Sequence, residues 1–211
     1  MFKSRHQVIA LVVVFVFGFT LFYVGTDGFT AFTEETARTN KLIEEKPLLP
    51  DITLEDSKGR QYGFDEFQGK YMLMTFVYTA CSTVCPQLEM NTAQIYESLP
   101  EKYIGEDIVF VSVSFDPERD TPEVLDRYRT YFGSDGETWR MVRIPDEQEL
   151  KSVLDEFGVI VIPDGEGDFQ HNVAYYLVDR EGYLMDVLDF SDVEGAKAKV
   201  LETLEQGEGQ G

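Results

Sequence analysis

Apolar positions along this chain fall into three kinds of run. The first is an uncharged stretch from Val8 to Gly25 with no polar face. At about 1.5 Å of rise per helical residue, Val8 to Val24 spans roughly 25 Å, a little short of a bilayer's ~30 Å hydrocarbon core. Lys3, Arg5 and His6 precede the run, Phe22 and Tyr23 close it as interfacial aromatics would, and Asp27, Glu34 and Glu35 follow. The positive-inside tendency then reads residues 1–25 as a cytoplasmic stub and single-pass anchor in the inner (cytoplasmic) membrane, with residues 26–211 on the extracytoplasmic side. A cleaved signal peptide is the rival reading. It calls for a shorter apolar core and a small-x-small site, for which Val24-Gly25-Thr26 and Gly28-Phe29-Thr30 are the best matches.

The second kind is β-like. Lys70 to Val77 (KYMLMTFV) and Ile108 to Phe115 (IVFVSVSF) are almost continuously apolar, β-branched or aromatic, as strands buried on both faces are. Leu48–Glu55 and Arg60–Phe64 flank the turn Asp56-Ser57-Lys58-Gly59, and Val173–Val178 and Tyr183–Phe190 flank Asp179-Arg180-Glu181-Gly182, which predicts two hairpins.

The third kind is helical. Pro86 lacks an N–H and fits only a first turn, so a helix starts near Cys85 and runs to about Ser98. Asp120-Thr121-Pro122-Glu123 supplies a cap and a first-turn proline for a helix closed by Gly133. Asp146-x-x-Glu149 starts another that ends at Gly158, and Ser191-x-x-Glu194 caps a last one running to about Leu204. Residues 26–46 are polar without an apolar period and read as a tether, and Gly207 to Gly211 reads as a flexible tail.

The order β-hairpin, β, α, β, α, α, β-hairpin, α predicts one α/β domain over residues 47–206. Its sheet is mixed, with a central parallel βαβ pair, an antiparallel closing hairpin and helices on both faces. About 160 residues suffice for one substantial core. Acidic residues number 39 against 18 basic, a net charge of −21; setting aside Lys3 and Arg5 leaves −23 on the part beyond the anchor. Most of these carboxylates read as a solvated face, and such a charge repels nucleic acid and anionic membrane surfaces.

Cys81 and Cys85 are the only cysteines. Exported proteins with two cysteines usually join them in a structural disulfide. A ring this short gains little from loop closure, however, which shifts the balance to a functional role. The pair sits between the end of a buried strand and a helix N-terminus, where α/β sheets place their chemistry. The helix dipole favours ionised sulfur, at Cys85 first and at Cys81 as well. Disulfide formation, thiolate nucleophilicity and the binding of one soft metal ion all remain open on spacing alone. His171 is the one histidine beyond the anchor, since His6 precedes it. A lone histidine is most often a surface or satisfied core residue. This one follows the acidic, glycine-rich stretch 163–168 and immediately precedes a strand, from which it could approach the cysteines. Two thiolates and an imidazole suit Cu(I). Zinc would want a fourth ligand. Met72 and Met74 read as core, and Met90 as packing rather than a ligand.

In these residues the chain resembles the SCO/SenC family, thioredoxin-like copper proteins of cytochrome c oxidase assembly. The family's Tyr-Thr then Cys-Pro-x-x-Cys-Pro pattern is matched by Tyr78-Thr79-Ala80-Cys81-Ser82-Thr83-Val84-Cys85-Pro86. Ser114-Phe115-Asp116-Pro117-Glu118-Arg119-Asp120-Thr121-Pro122-Glu123 is a second match, and His171 with its following apolar strand and Asp179-x-x-Gly182 a third. The resemblance covers roughly residues 45–205 and departs at Ser82, where the family usually has proline. It implies a thioredoxin-like fold, copper (Cu(I), and Cu(II) as well) held by Cys81, Cys85 and His171, and subunit II of the oxidase as recipient. Asp116 belongs to the second motif without being a ligand. The alternatives are thiol–disulfide exchange by Cys81 and Cys85, reducing a recipient's cysteines, and peroxide reduction or redox sensing by either thiol.

Overall fold

A computed structural model describes residues 5–25, 34–165 and 167–208. The chain divides after Glu44 into two units. In the first, α1 (Arg5–Gly25) is long and apolar enough, by length and composition, to cross a membrane. Its apolar side chains are exposed, Phe15 to 77%. Residues 1–4 and 26–33 of the expected stub and tether lie outside the described residues. The rest of the tether is not extended chain but helix α2 (Glu34–Glu45), whose first turns carry an Arg38–Glu35 pair. Such i,i+3 pairs support a helix whose composition is mostly polar, and Leu42 is its buried apolar residue.

The second unit is built on a seven-stranded sheet. Its strands are β1 (Leu54–Asp56), β2 (Gln61–Tyr62), β3 (Tyr71–Val77), β4 (Ile108–Ser114), β5 (Trp139–Arg143), β8 (Tyr175–Val178) and β9 (Leu184–Leu188), in the order β2-β1-β5-β4-β3-β8-β9. β3, β4 and β5 are parallel, and the flanking strands run antiparallel. Every residue of β4 is buried, as its apolar run requires.

The chain passes from β3 through α3 (Val84–Ser98) to β4, and from β4 through α4 (Pro122–Thr130) to β5. Both crossovers step the same way across the sheet, so right-handedness puts both helices on one face. There α6 (Val193–Glu208) packs on α3. α5 (Glu147–Glu156) returns across the other face, where Phe157 at its end meets Tyr176 edge-on at 6.0 Å. Alternation along β8 keeps Tyr175 on the α3 side, its hydroxyl donating to the Leu88 carbonyl at 3.5 Å. This is the thioredoxin-like arrangement.

Several local expectations are corrected. β5 was not expected. Arg140 and Arg143 break its apolar pattern but lie over the Tyr62 and Phe67 rings or pair with Glu55. The stretch ahead of His171 is not plain loop. β6 (Val161–Pro163) and β7 (Phe169–His171) form their own antiparallel pair, outside the main sheet. Asp120 does not cap α4. Thr121 takes that position, while the Asp120 carboxylate turns inward to Thr79 and Ser114. Asp192, not Ser191, supplies the oxygen at the start of α6, accepting the Gly195 N–H at 3.0 Å. α6 also runs through Gly207 and Glu208 of the expected tail, and residues 209–211 lie outside the described residues.

Candidate metal and thiol site

β3 ends at Val77, and Tyr78-Thr79-Ala80 turn the chain toward Cys81. Buried Asp120 fixes this turn, accepting the Thr79 N–H at 3.0 Å together with the Thr79 and Ser114 hydroxyls. α3 then starts at Val84 with no side-chain oxygen from Thr83 to cap it. The sulfur of Cys81 fills that place, accepting the backbone N–H of Cys85 at 3.3 Å. An orphan donor at a helix start needs such an acceptor, and the positive end of the dipole favours a charged one.

The two thiols therefore divide differently from the sequence expectation. Burial alone would raise the Cys81 thiol, but hydrogen bonds from the Cys85 and Thr83 backbones and side chains outweigh it and bring the thiol below its ordinary value. Cys85 is fully buried, and burial first, then the Cys81 sulfur and the charges of Glu89 and Asp120, push its thiol far up. The helix start favours ionised sulfur at Cys81, whereas burial favours the protonated thiol at Cys85. The expectation placed the charge first on Cys85 because spacing alone does not say which sulfur caps the helix.

His171 ends β7 with its Nε2 3.5 Å from the Cys85 sulfur. Its Nδ1 lies 3.0 Å from the Asn172 carbonyl, which can only accept, so Nδ1 carries the ring proton and the Nε2 lone pair faces the sulfur. Burial lowers the His171 pKa despite opposing contributions from the Asn172 carbonyl and Asp168, so the imidazole is neutral at pH 7. A ring held by a carbonyl at one nitrogen and open at the other is how metal-binding histidines are usually oriented. The Asn172 side chain roots this end of β7, accepting the Ile160 N–H at 2.6 Å.

The structure thus joins Cys85 to Cys81 through the helix start, and Cys85 to His171 directly. As they stand, no three His, Cys, Asp or Glu side chains among the described residues close around an ion. Cys81 is buried at 6% exposure, while His171 is half-buried. Ser82, in place of the usual proline, is exposed on the Cys81 loop. Met72 and Met74 are core, as expected, and Met90 is 54% exposed on α3.

Two features escaped the sequence reading. Phe115 and Tyr78 wall the histidine, 4.9 Å and 6.0 Å from its ring, and Phe169 stands against both of them. Glu89, one turn beyond Cys85, is fully buried and accepts hydrogen bonds from the hydroxyls of Thr75 at 3.0 Å and Ser112 at 2.9 Å. Burial raises its carboxyl to about 7 against the pull of those hydroxyls. Its only signal in the sequence was a charge at the inward i+4 position from Cys85.

A thioredoxin-like domain with a thiol pair at its first crossover helix, faced by a histidine from a separate hairpin, defines a narrow class of protein. Residues 40–206 match the SCO1/SenC family, and the chain belongs to it. It is 26% identical over 145 residues to the SCO1 protein homolog of Bacillus subtilis, covering 68% of this chain and 73% of that one. It is 27% identical to the mitochondrial SCO2 protein of Saccharomyces cerevisiae over 82% of this chain, but spans only 58% of that relative's length. The crystal structure of yeast Sco1 with copper bound is similar in fold, with a TM-score of 0.64 at 24% identity over 75% of this chain and 89% of that one.

Proposed function

We propose that this chain is a membrane-anchored copper chaperone, binding copper through Cys81, Cys85 and His171 and delivering it during assembly of cytochrome c oxidase, with subunit II as recipient. Residues 1–25 anchor it in the inner membrane, residues 26–46 link anchor to domain, and residues 47–206 carry the site on the extracytoplasmic side. The observation that carries this reading is the neutral imidazole whose open Nε2 lies 3.5 Å from the Cys85 sulfur, beside a Cys81 thiol already lowered by the helix start. Two sulfurs and one imidazole nitrogen select Cu(I) over harder ions, and the same set accepts Cu(II). Uptake of the ion displaces the Cys85 proton, and the shared fold of copper-bound yeast Sco1 supports the assignment. The test is anaerobic copper loading of the full chain in detergent. One tightly held copper per chain is expected, with affinity reduced in His171→Ala. Unchanged affinity in that variant removes the histidine from the site.

The asymmetry of the thiols favours a second activity. The Cys81 thiolate attacks a recipient disulfide, forming a mixed disulfide and releasing one recipient thiolate. Cys85 then gives up its proton and attacks Cys81, closing the Cys81–Cys85 disulfide and freeing the second recipient thiol. Two electrons pass to the recipient, leaving it reduced for metallation. His171→Ala should leave this exchange nearly intact, while Cys81→Ser or Cys85→Ser abolishes it. A chain that exchanges disulfides but retains no copper when fully reduced would make this the primary function.

A further inference from the structure

The segment Ser114-Phe115-Asp116-Pro117-Glu118-Arg119-Asp120 follows β4, and its two aspartates face different ways. Asp120 serves the cysteine turn, as described. Asp116 instead accepts from Nε of Arg119, and that arginine reaches the hairpin that carries the histidine. Its Nη1 donates to the Gly167 carbonyl at 2.6 Å, and its guanidinium lies over the Phe169 ring, 5.4 Å from the centroid. Phe169 and His171 are two residues apart on a three-residue strand, so both side chains project from the same face. Phe169 in turn stands edge-on to Tyr78 at 5.2 Å and to Phe115 at 5.6 Å, the two rings that wall His171.

From this geometry we infer that Arg119, held by Asp116, is a positioning residue for His171. It grips β6–β7 by one carbonyl and one ring, and so sets where the histidine's Nε2 meets Cys85. The arginine touches neither cysteine nor histidine and acts through the hairpin. The need for it follows from topology: β6 and β7 pair only with each other among the described residues, so no sheet ladder fixes β7 relative to α3. Side chains must do so. Arginine suits the task because one planar fork serves a carboxylate, a carbonyl and a ring face together, which a lysine ammonium cannot do.

The inference rests on His171 being a metal ligand, and its test separates the two. In the full chain in detergent, Cu(I) affinity is measured by anaerobic competition with a chromogenic Cu(I) chelator. The set is wild type, Arg119→Met, Arg119→Lys, His171→Ala and the double variant Arg119→Met/His171→Ala. Arg119→Met is expected to weaken binding about tenfold, the low end for groups that orient a ligand. Arg119→Lys recovers little of it. In the His171→Ala background the same change moves affinity less than twofold, because the histidine it orients is gone. An equal loss with and without the histidine overturns the inference. Metal-free protein gives an independent reading: the His171 ring protons, shifted by the Phe115 and Tyr78 rings, move toward unstructured values in Arg119→Met while the Trp139 indole signal stays. His171 signals unmoved in that variant also overturn it. If His171→Ala alone leaves affinity intact, the ligand assignment falls, and the metal-free spectra still decide the positioning role.

Discussion

The two halves of the site are held in opposite ways. The cysteines ride on the most cohesive part of the fold: β3 lies between β4 and β8, and α3 presses its buried face onto them. The histidine rides on β6–β7, two three-residue strands that belong to no larger sheet among the described residues and meet the body through rings, the Tyr78 hydroxyl bonded to Asp168 and the Phe169 N–H, one arginine and Asn172. The contrast separates a thiol pair set on the main sheet and its first crossover helix from a histidine set on a hairpin of its own. Under the copper-carrier role proposed above, such a division lets one donor leave without disturbing the scaffold of the other two.

The sharpest way to break the comparison is to damage the scaffold side. Trp139 is fully buried between Tyr96 and Phe110, and its indole N–H donates to the Ser112 hydroxyl at 3.1 Å, which in turn donates to Glu89. Trp139→Ala is expected to lower global stability by about 3–5 kcal/mol, through the cavity and the lost bond together. Chemical denaturation of the full chain in detergent reads this directly. A loss below about 1 kcal/mol would mean that the sheet beneath the cysteines is not the cohesive half.

The next effect in size depends on pH. Glu89 titrates at about 7 in the fold against an ordinary 4.5. Between those values the folded chain binds more protons than the unfolded one, so wild-type stability falls as pH rises from about 4.5 to 7 and the penalty is complete above 7. Glu89→Gln removes that penalty while leaving hydroxyl partners for its amide. The variant should gain about 3 kcal/mol over wild type at pH 8 and almost nothing at pH 4.5. Equal gain or loss at both pH values would show that Glu89 does not carry a raised pKa.

Much of the scaffold was legible because a single period dominated each segment. Lys70–Val77 and Ile108–Phe115 could be nothing but buried strands, and Pro86 and Pro122 fixed helix starts to within two residues. β5 was hidden because two of its five residues are arginines, whose charges pair with carboxylates distant in sequence, Glu66 and Glu55. The hairpin was hidden because its strands are short and its glycines read as loop; Gly165 and Gly167 do take positive φ there, at +84° and +98°. At the site, the residue types and their spacing picked out Cys81, Cys85 and His171. The order of the thiols was not legible, because it depends on which sulfur turns back to cap α3. The roles of Asp120 and Glu89 follow from burial, which a charged residue does not announce.

The smallest global effect is expected from the hairpin, and it sharpens the comparison most. Phe169 is half-buried among Tyr78, Phe115 and the Arg119 guanidinium. In a cooperative core, truncating a phenylalanine costs several kcal/mol, but a segment that opens by itself loses only its own local stability. Phe169→Ala should therefore shift the global denaturation midpoint by less than about 1 kcal/mol. Amide exchange across residues 161–171 should nevertheless quicken about tenfold, the factor that corresponds to ~1.4 kcal/mol of local stability, while β3 and β4 exchange as before. If Phe169→Ala instead weakens the whole domain as Trp139→Ala does, the hairpin folds as one unit with the sheet. The histidine would then be as fixed as the sulfurs, and release of an ion would have to begin elsewhere.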